Sequence, residues 1–166
     1  MRTIPLHGKV AAGRVALVDD ADFDLVGRYR WVAWEHQRSA GGRLNGPYAV
    51  TFPKANNWRI LRMHTLITGY PRTDHINHDG LDNQRHNLRP ATVSQNLQNA
   101  RKRQGGTSPY KGTFRPAGRT RWFASIWVNG RNRRLGTFAT EIEAALAYDM
   151  AALEVFGEYA CFNFPH

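Results

Sequence analysis

Short alternations of apolar and polar residues run through residues 1–60 and predict strands rather than long helices. Three stretches carry the pattern: residues 10–18 with a Gly13-Arg14 turn, residues 28–35, rich in Trp and Tyr, and residues 47–52. Asp19 should cap a short helical turn that reaches Phe23, because Asp commonly stands at a helix start. The N-terminal part is therefore expected to be β-rich.

The pattern becomes helical near residue 92. Thr92 and Gln95 have the spacing of a capping box, in which each side chain satisfies a backbone N–H group at the helix start. Three apolar residues then recur at i, i+4 and i+7 and form a narrow stripe: Val93, Leu97 and Ala100. Asn96 lies at the edge of this stripe, so we expect it to face the hairpin that precedes the helix.

A self-contained unit of two strands and a helix is predicted near the C-terminus. Residues 121–128 alternate as a strand, and Asn129-Gly130 is a strong hairpin signal, so residues 131–138 should return as the partner strand. Thr140 and Glu143 form a second capping box, which opens a helix that ends at Gly157. One face of the first strand should be buried: Ala124, Ile126 and Val128. Four residues should then point the other way: Arg121, Phe123, Ser125 and Trp127.

The segment between the two parts, residues 104–109, has the composition of a flexible linker. We therefore predict a first domain over residues 1–104, with a β-rich part (1–60) and a core (61–104). A linker follows over residues 105–109, and a second domain covers residues 110–166. The expected fold class is α+β.

The charge of the chain narrows the choice of partner. Lys and Arg number 23 against 13 Asp and Glu, a formal net charge of +10, which predicts attraction to nucleic acid. Residues 108–138 hold seven Lys/Arg and no acid, whereas residues 139–166 hold five acids and no Lys/Arg. The C-terminal hairpin should therefore be positive and its helix negative. Five basic residues of the N-terminal part either contact a phosphate backbone or remain solvated edge-strand charges: Arg28, Arg30, Arg38, Arg43 and Lys54.

Cys161 is the only cysteine, so an intramolecular disulfide is excluded and a reducing compartment fits best. We expect it to be a small buried hydrophobe. No stretch approaches the ~18 apolar residues of a membrane span, and the N-terminus lacks the apolar core of a signal peptide. The expectation is a cytoplasmic protein of phage or bacterial origin with no membrane partner.

The candidate chemistry lies between residues 74 and 96. Asp74 adjoins His75, and the amide side chains of Asn87 and Asn96 follow downstream. Carboxylate and amide oxygens suit one hard divalent cation, and an imidazole can take a proton from water near neutral pH. Hydrolysis of a phosphodiester requires both functions. Each residue alone is better explained by hairpin turns, where Asp and Asn are common, but the combined pattern favours a nuclease-derived fold.

Residues 61–103 resemble the HNH family of homing endonucleases, in the branch associated with phages and mobile introns. The matching residues are Met63-His64, Asp74-His75-Ile76-Asn77, Gly80-Leu81-Asp82-Asn83, Asn87-Leu88-Arg89 and Ser94-Gln95-Asn96-Leu97-Gln98-Asn99. The resemblance implies a ββα-metal site with His75 as the general base. It also implies that Asp74 and Asn96 hold one Mg²⁺ or Mn²⁺ ion, and that Asn87 ties the hairpin loop and orients the base.

Three positions need separate comment. Asn96 stands at a position where the wider family often has His. The branch that this chain resembles has Asn there, and an amide oxygen is an adequate Mg²⁺ ligand. His78 occupies a loop position where Gly is common, and the sequence does not define its effect. His64 either supports the catalytic site or is a packed histidine at an element boundary, and the sequence leaves both alternatives open.

Residues 110–165 resemble the AP2/ERF DNA-binding domain of plant transcription factors. The residues that carry this are Tyr110-Lys111-Gly112, Trp122, Ala124, Ile126, Leu135-Gly136-Thr137-Phe138, Glu143-Ala144-Ala145, Ala147-Tyr148-Asp149, Gly157 and Asn163-Phe164-Pro165. The resemblance implies a three-stranded sheet that is packed on one helix and lies in the DNA major groove. By position, the predicted DNA contacts are Arg115, Arg121, Ser125, Trp127 and Arg134. Trp127 and Arg134 stand where the plant domains usually have Arg and Trp, so the plant target sequence is not expected.

Three further basic residues, Arg101, Lys102 and Arg103, close the helix that starts near residue 92, and their charge suits phosphate. The sequence thus predicts a metal-dependent, homing-type endonuclease that nicks double-stranded DNA as a monomer or weak dimer. The alternative is a catalytically inactive, sequence-specific DNA-binding regulator. An RNA-directed protein is less favoured, because A-form RNA hides its major groove.

Overall fold

The computed structural model describes residues 1–35, 46–102 and 106–164. Four residues named above lie outside these ranges: Arg38, Arg43, Arg103 and Pro165. The chain divides into two compact units, Met1–Val93 and Ser94–His166. Both contain helices and small antiparallel sheets, which confirms the mixed helix-and-sheet class. The domain limits predicted at residues 104 and 110 remain a prediction.

The first unit has short strands and shorter helices. Its strands are β1 (Arg2–Pro5), β2 (Val15–Val18), β3 (Val32–Trp34), β4 (Tyr48–Thr51), β5 (Leu61–Arg62), β6 (Thr73–His75) and β7 (Leu88–Pro90). Its helices are α1 (Phe23–Val26) and α2 (Met63–Thr68), with 3-10 turns at Asp20–Asp22, Lys54–Asn56 and Arg85–Asn87. β1 pairs with β2, β6 pairs with β7, and β4 lies between β3 and β5. Of these elements, β1, β5 and α2 had no clear signal in the sequence.

One hydrophobic core joins the N-terminal strands to the segment that carries Asp74 and His75. It includes Val18, Trp31 and Met63, each at most 1% exposed, and reaches Leu81 and Leu88. The indole N–H of Trp31 donates to the Val26 carbonyl at 2.8 Å, so this large ring is buried without losing its hydrogen bond. The N-terminal strands therefore belong to the same folded body as the candidate site.

Polar contacts fix the N-terminal segment to the loop between β6 and β7. The Leu17 N–H donates to the Leu81 carbonyl, and the Asn83 N–H donates back to the Leu17 carbonyl, both at 2.8 Å. Arg85 forms a two-pronged ion pair with buried Asp22, at 2.8 and 2.7 Å. The Arg85 backbone N–H also donates to Asp19, and this contact lowers the pKa of that carboxyl. These contacts hold the loop from the side of β2.

The second unit contains α3 (Val93–Asn99, whose first residue closes the first unit), β8 (Thr113–Phe114), β9 (Trp122–Val128), β10 (Arg131–Phe138), α4 (Glu141–Phe156) and a 3-10 turn at Gly157–Tyr159. The sheet order is β10-β9-β8. Asn129 and Gly130 have φ of 50° and 75°, the left-handed pair that a two-residue hairpin needs. The Thr140/Glu143 capping box is present, and Gly157 caps the C-terminus of α4, so these sequence predictions are confirmed.

The buried face predicted for β9 is confirmed for Ala124 and Ile126, whereas Val128 is only partly buried. Ala124 and Ile126 are 0% and 1% exposed, and Ile126 packs with Tyr148 and Ala152 of α4. Small residues on α4 let the helix lie close to the sheet, as expected. Cys161 is buried, in line with its predicted role as a small hydrophobe.

Two predictions need qualification. Val93 and Leu97 are 55% and 59% exposed, so the expected apolar stripe of α3 is not buried against a neighbouring element. The described end of the predicted linker is also packed rather than free, because Ser108 is buried and Thr107 accepts a hydrogen bond from the Arg115 backbone at 2.8 Å. Gln104 and Gly105, the start of that linker, lie outside the described residues.

Candidate functional site

Asp74 and His75 lie on β6, in register with Arg89 and Leu88 of β7. Both side chains are buried, at 7% and 6% exposure. Consecutive residues of a strand point to opposite faces, and the two side chains accordingly meet different neighbours. The two-stranded ribbon therefore carries the Asp74 carboxylate on one face and the His75 imidazole on the other.

Asp74 is held by a buried ion pair. Its Oδ2 accepts hydrogen bonds from Nε and Nη2 of Arg89 at 2.9 and 2.7 Å. Arg89 is itself only 7% exposed, so little water screens the pair. The contact follows from the β6–β7 register, since Asp74 and Arg89 are direct cross-strand partners. The ion pair fixes the position of the carboxylate.

His75 lies in a cluster of three rings. Its ring centroid is 4.9 Å from that of His64, in an edge-to-face arrangement, and 5.7 Å from that of Tyr48. Burial is the main cause that lowers the pKa of His75, while the fully buried Asn83 side chain and the charges of nearby Asp residues raise it. The result is an imidazole that is neutral at physiological pH, as a proton acceptor must be.

His64 comes from α2 and is 6% exposed, and its Nδ1 has no hydrogen-bond partner among the described residues. Burial, followed by the charges of His75 and Arg62, lowers the pKa of His64 to about 3. His64 is therefore a neutral neighbour of His75. The structure places it against the candidate base, although the sequence left its position open.

Asn87 ties the loop after β6. Its Oδ1 accepts from the Asn77 N–H at 2.9 Å, and its Nδ2 donates to the Asp82 carbonyl at 2.8 Å. Asn77 in turn donates from Nδ2 to the Asp82 carboxylate at 2.8 Å. Asn87 is 3% exposed, so these bonds are protected from water. The network fixes the loop that starts directly at His75.

His78 has φ of 66°, in the left-handed region that Gly adopts without cost. Its N–H closes a turn by donating to the His75 carbonyl at 3.0 Å. This geometry explains why a Gly is well suited to that loop position. A non-Gly residue there carries backbone strain of about 1 kcal/mol.

The carboxylate of Asp74 is the type of ligand that suits a hard divalent cation. Among the described residues, no group of three or more His, Cys, Asp and Glu side chains could hold a metal ion. Mg²⁺, however, takes one or two carboxylate or amide oxygens and keeps several waters. A carboxylate offers about four lone-pair sites, so the ion pair with Arg89 leaves Asp74 chemically able to act as a ligand.

Asn96, the second metal ligand implied by the resemblance, lies on α3 of the second unit and is half-buried. Arg101 and Lys102 follow that helix, and Arg103 lies outside the described residues. The structure thus places Asp74, His75, Asn87 and His64 in the first unit, where His64 contacts His75 and Asn87 holds the loop that follows it.

The outward face of the second unit's sheet carries arginines supported by aromatic rings. The Arg134 guanidinium lies 4.7 Å from the Phe123 ring centroid and donates to the Thr137 hydroxyl at 2.6 Å. Phe123 also stacks on Phe114, with centroids 5.7 Å apart. At the start of β9, Arg115 lies over Trp122 at 4.7 Å, and by the alternation of the strand Trp122 is on the same side as Ala124 rather than on the outward face. Such contacts limit the conformations of each guanidinium before any ligand binds.

The other predicted DNA contacts lie on β9 or directly before it. Trp127 is 65% exposed, so its ring is open to contact by a ligand. Ser125 pairs with Arg134 across the ladder, and Trp127 pairs with Asn132. Arg121 is exposed directly before β9. The outward face is therefore basic and aromatic together.

The sequence analysis did not identify Tyr48 as a neighbour of His75, Arg89 as the partner of Asp74, or Asn132 as the cross-strand neighbour of Trp127. The position of Asn132 could have been predicted, because the two-residue Asn129-Gly130 turn fixes the register that pairs residue 127 with residue 132. Tyr48 had no local signal, since strand β4 reaches the histidines only through tertiary packing. Arg89 was noted as part of a motif but not as the partner of Asp74.

No protein-family model matches the chain. The chain is 29% identical over 154 residues to an uncharacterized HNH endonuclease of Acanthamoeba polyphaga mimivirus, which covers 91% of this chain and 75% of the viral protein. It is 59% identical over 39 residues to a dehydration-responsive element-binding protein of Arabidopsis thaliana (22% of this chain, 16% of the plant protein). An ethylene-responsive transcription factor of the same plant is 38% identical over 73 residues (42% and 40%). The chain spans less than half of each plant protein, and these similarities suggest a nuclease with a DNA-binding part.

In the described part of the chain, no helix is both long enough and apolar enough to cross a membrane.

The low pKa of His64 predicts a pH-dependent stability. Unfolded His64 titrates near 6.5 whereas folded His64 titrates near 3, so the unfolded chain binds more protons between these values and stability rises with pH. From pH 7 to pH 5, His64 alone should cost about 2 kcal/mol. Urea unfolding of His64→Phe should show a smaller loss over this range. Exposed His86→Phe is the control, and an equal pH slope in both variants would contradict the assignment.

Proposed function

We propose that this protein is a metal-dependent DNA endonuclease that hydrolyses phosphodiester bonds, with His75 as the general base. One observation carries the proposal: the buried His75 imidazole packs against the rings of His64 and Tyr48, on the strand that also carries Asp74. The similarity to a viral protein named as an HNH endonuclease, over 91% of this chain, supports the same reading.

His75 takes a proton from a water molecule, and that water attacks phosphorus in line with the leaving 3′ oxygen. The P–O3′ bond breaks and the leaving oxygen takes up a proton from solvent, which yields a 5′-phosphate and a 3′-hydroxyl end. Asn87 holds the loop that orients His75, and His64 supports the imidazole by packing. Because the site has one base, each binding event cuts one strand of the duplex. The protein is proposed to act as a monomer or weak dimer.

Asp74 and Asn96 are the proposed ligands of one Mg²⁺ or Mn²⁺ ion. When bound, the cation stabilises the charge that develops on the leaving oxygen. Arg89 orients Asp74 through two hydrogen bonds, so its loss should impair metal binding as well as folding.

The sheet of the second unit is proposed to bind the major groove of double-stranded DNA. The proposed main contacts are Arg115, Arg121, Trp127 and Arg134, with Ser125 as a secondary contact. Arg101, Lys102 and Arg103 are proposed to contact phosphate. Each neutralised phosphate steepens the fall of log affinity with log salt by about 0.9. Binding should therefore weaken strongly between low and high salt.

Arg134→Ala is expected to reduce affinity for a specific duplex about 10-fold or more, because one bidentate Arg–guanine contact is worth about 1–3 kcal/mol. Arg133→Ala is the matched control. It removes the same charge from the adjacent position of β10, but Arg133 pairs with inward-facing Ile126 rather than with Ser125. Fluorescence anisotropy at fixed salt measures both. Equal losses in the two variants would argue against base reading by the outward face.

One observation favours a second candidate, the catalytically inactive DNA-binding regulator. The carboxylate that should hold the metal already makes a buried ion pair with Arg89. Binding by such a regulator would survive both chelation and Asp74→Ala, and no cutting would accompany it. Parallel binding and cleavage assays with and without EDTA separate the two functions.

A further inference from the structure

Helix α3 has seven residues and leaves Val93 and Leu97 exposed, so neither length nor burial of an apolar stripe accounts for its stability. The carbonyls of its last turn, however, meet an ammonium group. Nζ of Lys111 donates to the Gln98 carbonyl at 2.6 Å and to the Ala100 carbonyl at 2.7 Å. A cation at a helix C-terminus satisfies carbonyls that lack intrahelical partners and complements the helix dipole.

Lys111 is in turn held by a polar cluster of the same unit. The Asn163 side chain accepts from the Lys111 N–H at 2.6 Å and donates to the Lys111 carbonyl at 3.1 Å. Asn163 is itself bound by the carboxylate of Asp149, a residue of α4 that is 2% exposed. We call Lys111, Asn163 and Asp149 the lysine clamp. It connects the core helix of the second unit to the end of α3.

The ammonium does not occupy an ordinary solvent-exposed position. Burial is the main cause that lowers the pKa of Lys111. A partly desolvated cation is retained where its hydrogen bonds compensate for lost hydration. Two charge-assisted bonds to carbonyls provide that compensation here.

We propose that Lys111 is a positioning residue that holds α3, and with it Asn96, on the second unit. The inference rests on the proposed function in taking Asn96 as a metal ligand, and it assigns control of that ligand to the unit that binds DNA. Lys111 belongs to the segment that resembles a DNA-binding domain, yet its ammonium faces helix carbonyls rather than solvent. It is therefore not a DNA contact.

The test uses the full chain with Lys111→Met, which keeps the aliphatic stem and removes the donors. Hydrogen exchange of the α3 amides, residues 96–99, should quicken about tenfold or more, while exchange in β9 and β10 stays within about threefold. Lys111→Arg keeps a charged donor and should restore most of the protection. Lys9→Met removes an exposed lysine and controls for lost charge.

Cleavage gives the second readout. The Mg²⁺ concentration for half-maximal plasmid nicking should rise at least about fivefold in Lys111→Met, with DNA affinity in EDTA unchanged. Unchanged α3 exchange in Lys111→Met, or equal loss of protection in the Met and Arg variants, would overturn the proposal. If the parent does not cut DNA, the proposed function fails, whereas the exchange data still decide whether Lys111 holds α3.

Discussion

His75→Ala should lower the rate of plasmid nicking by about 10²–10⁴-fold, the range that a general base contributes. The imidazole is buried and lies next to Asp74 in the sequence, so its removal takes away the proposed proton acceptor while leaving the sheet of the second unit, the proposed DNA-binding surface, intact. DNA affinity should therefore stay within about threefold of the parent. Single-turnover cleavage and anisotropy, measured on the same preparations, give the two quantities.

The control for that variant is His86→Ala. His86 lies in the loop that follows β6 and is exposed, so its removal should leave the cleavage rate near that of the parent. His75→Gln, which retains a polar side chain of similar size, separates loss of the base from a cavity in the ring cluster. A nicking rate within threefold of the parent in both His75 variants would remove His75 from the mechanism.

Gly112→Ala should strongly destabilise the second unit. A Cβ at Gly112 would lie 1.9 Å from Cδ2 of Tyr148, whose buried ring packs between the sheet and α4. The backbone φ of 74° adds strain for any residue with a side chain. We expect a loss of about 3 kcal/mol or more, because neither the ring nor the backbone can move without disturbing the core.

Gly118→Ala provides a matched control for that substitution. Its φ of 72° is nearly the same, but a Cβ there would meet nothing within 4 Å. It should cost only the strain of about 1 kcal/mol. Hydrogen exchange of the β9 and β10 amides in the full chain reports the stability of the second unit. Equal losses in the two variants would show that the contact with Tyr148 is unimportant.

The second unit was largely predictable because its signals are local. The Asn129-Gly130 turn fixes the hairpin register, and the Thr140/Glu143 capping box and Gly157 mark the ends of α4. The alternation of β9 separates buried Ile126 from exposed Trp127 for the same reason. Each of these features depends on residues that are close in sequence.

The surroundings of the candidate site were less predictable because they depend on distant residues. His64, Tyr48 and His75 come from α2, β4 and β6, and no periodicity links them. The pairing of Asp74 with Arg89 depends on the β6–β7 register, and the long loop between these strands does not fix that register as a two-residue turn would. Likewise, the contact of Lys111 with α3 joins segments separated by an irregular stretch.

The most direct test of the central claim is cleavage of supercoiled plasmid DNA by the parent chain with Mg²⁺ or Mn²⁺ at low salt. Varied plasmids should be used, since the target sequence is undefined. We predict metal-dependent conversion to nicked circles with 5′-phosphate and 3′-hydroxyl ends, abolished by EDTA. Tight duplex binding without conversion on any plasmid, with either metal, would contradict the nuclease and favour the DNA-binding regulator.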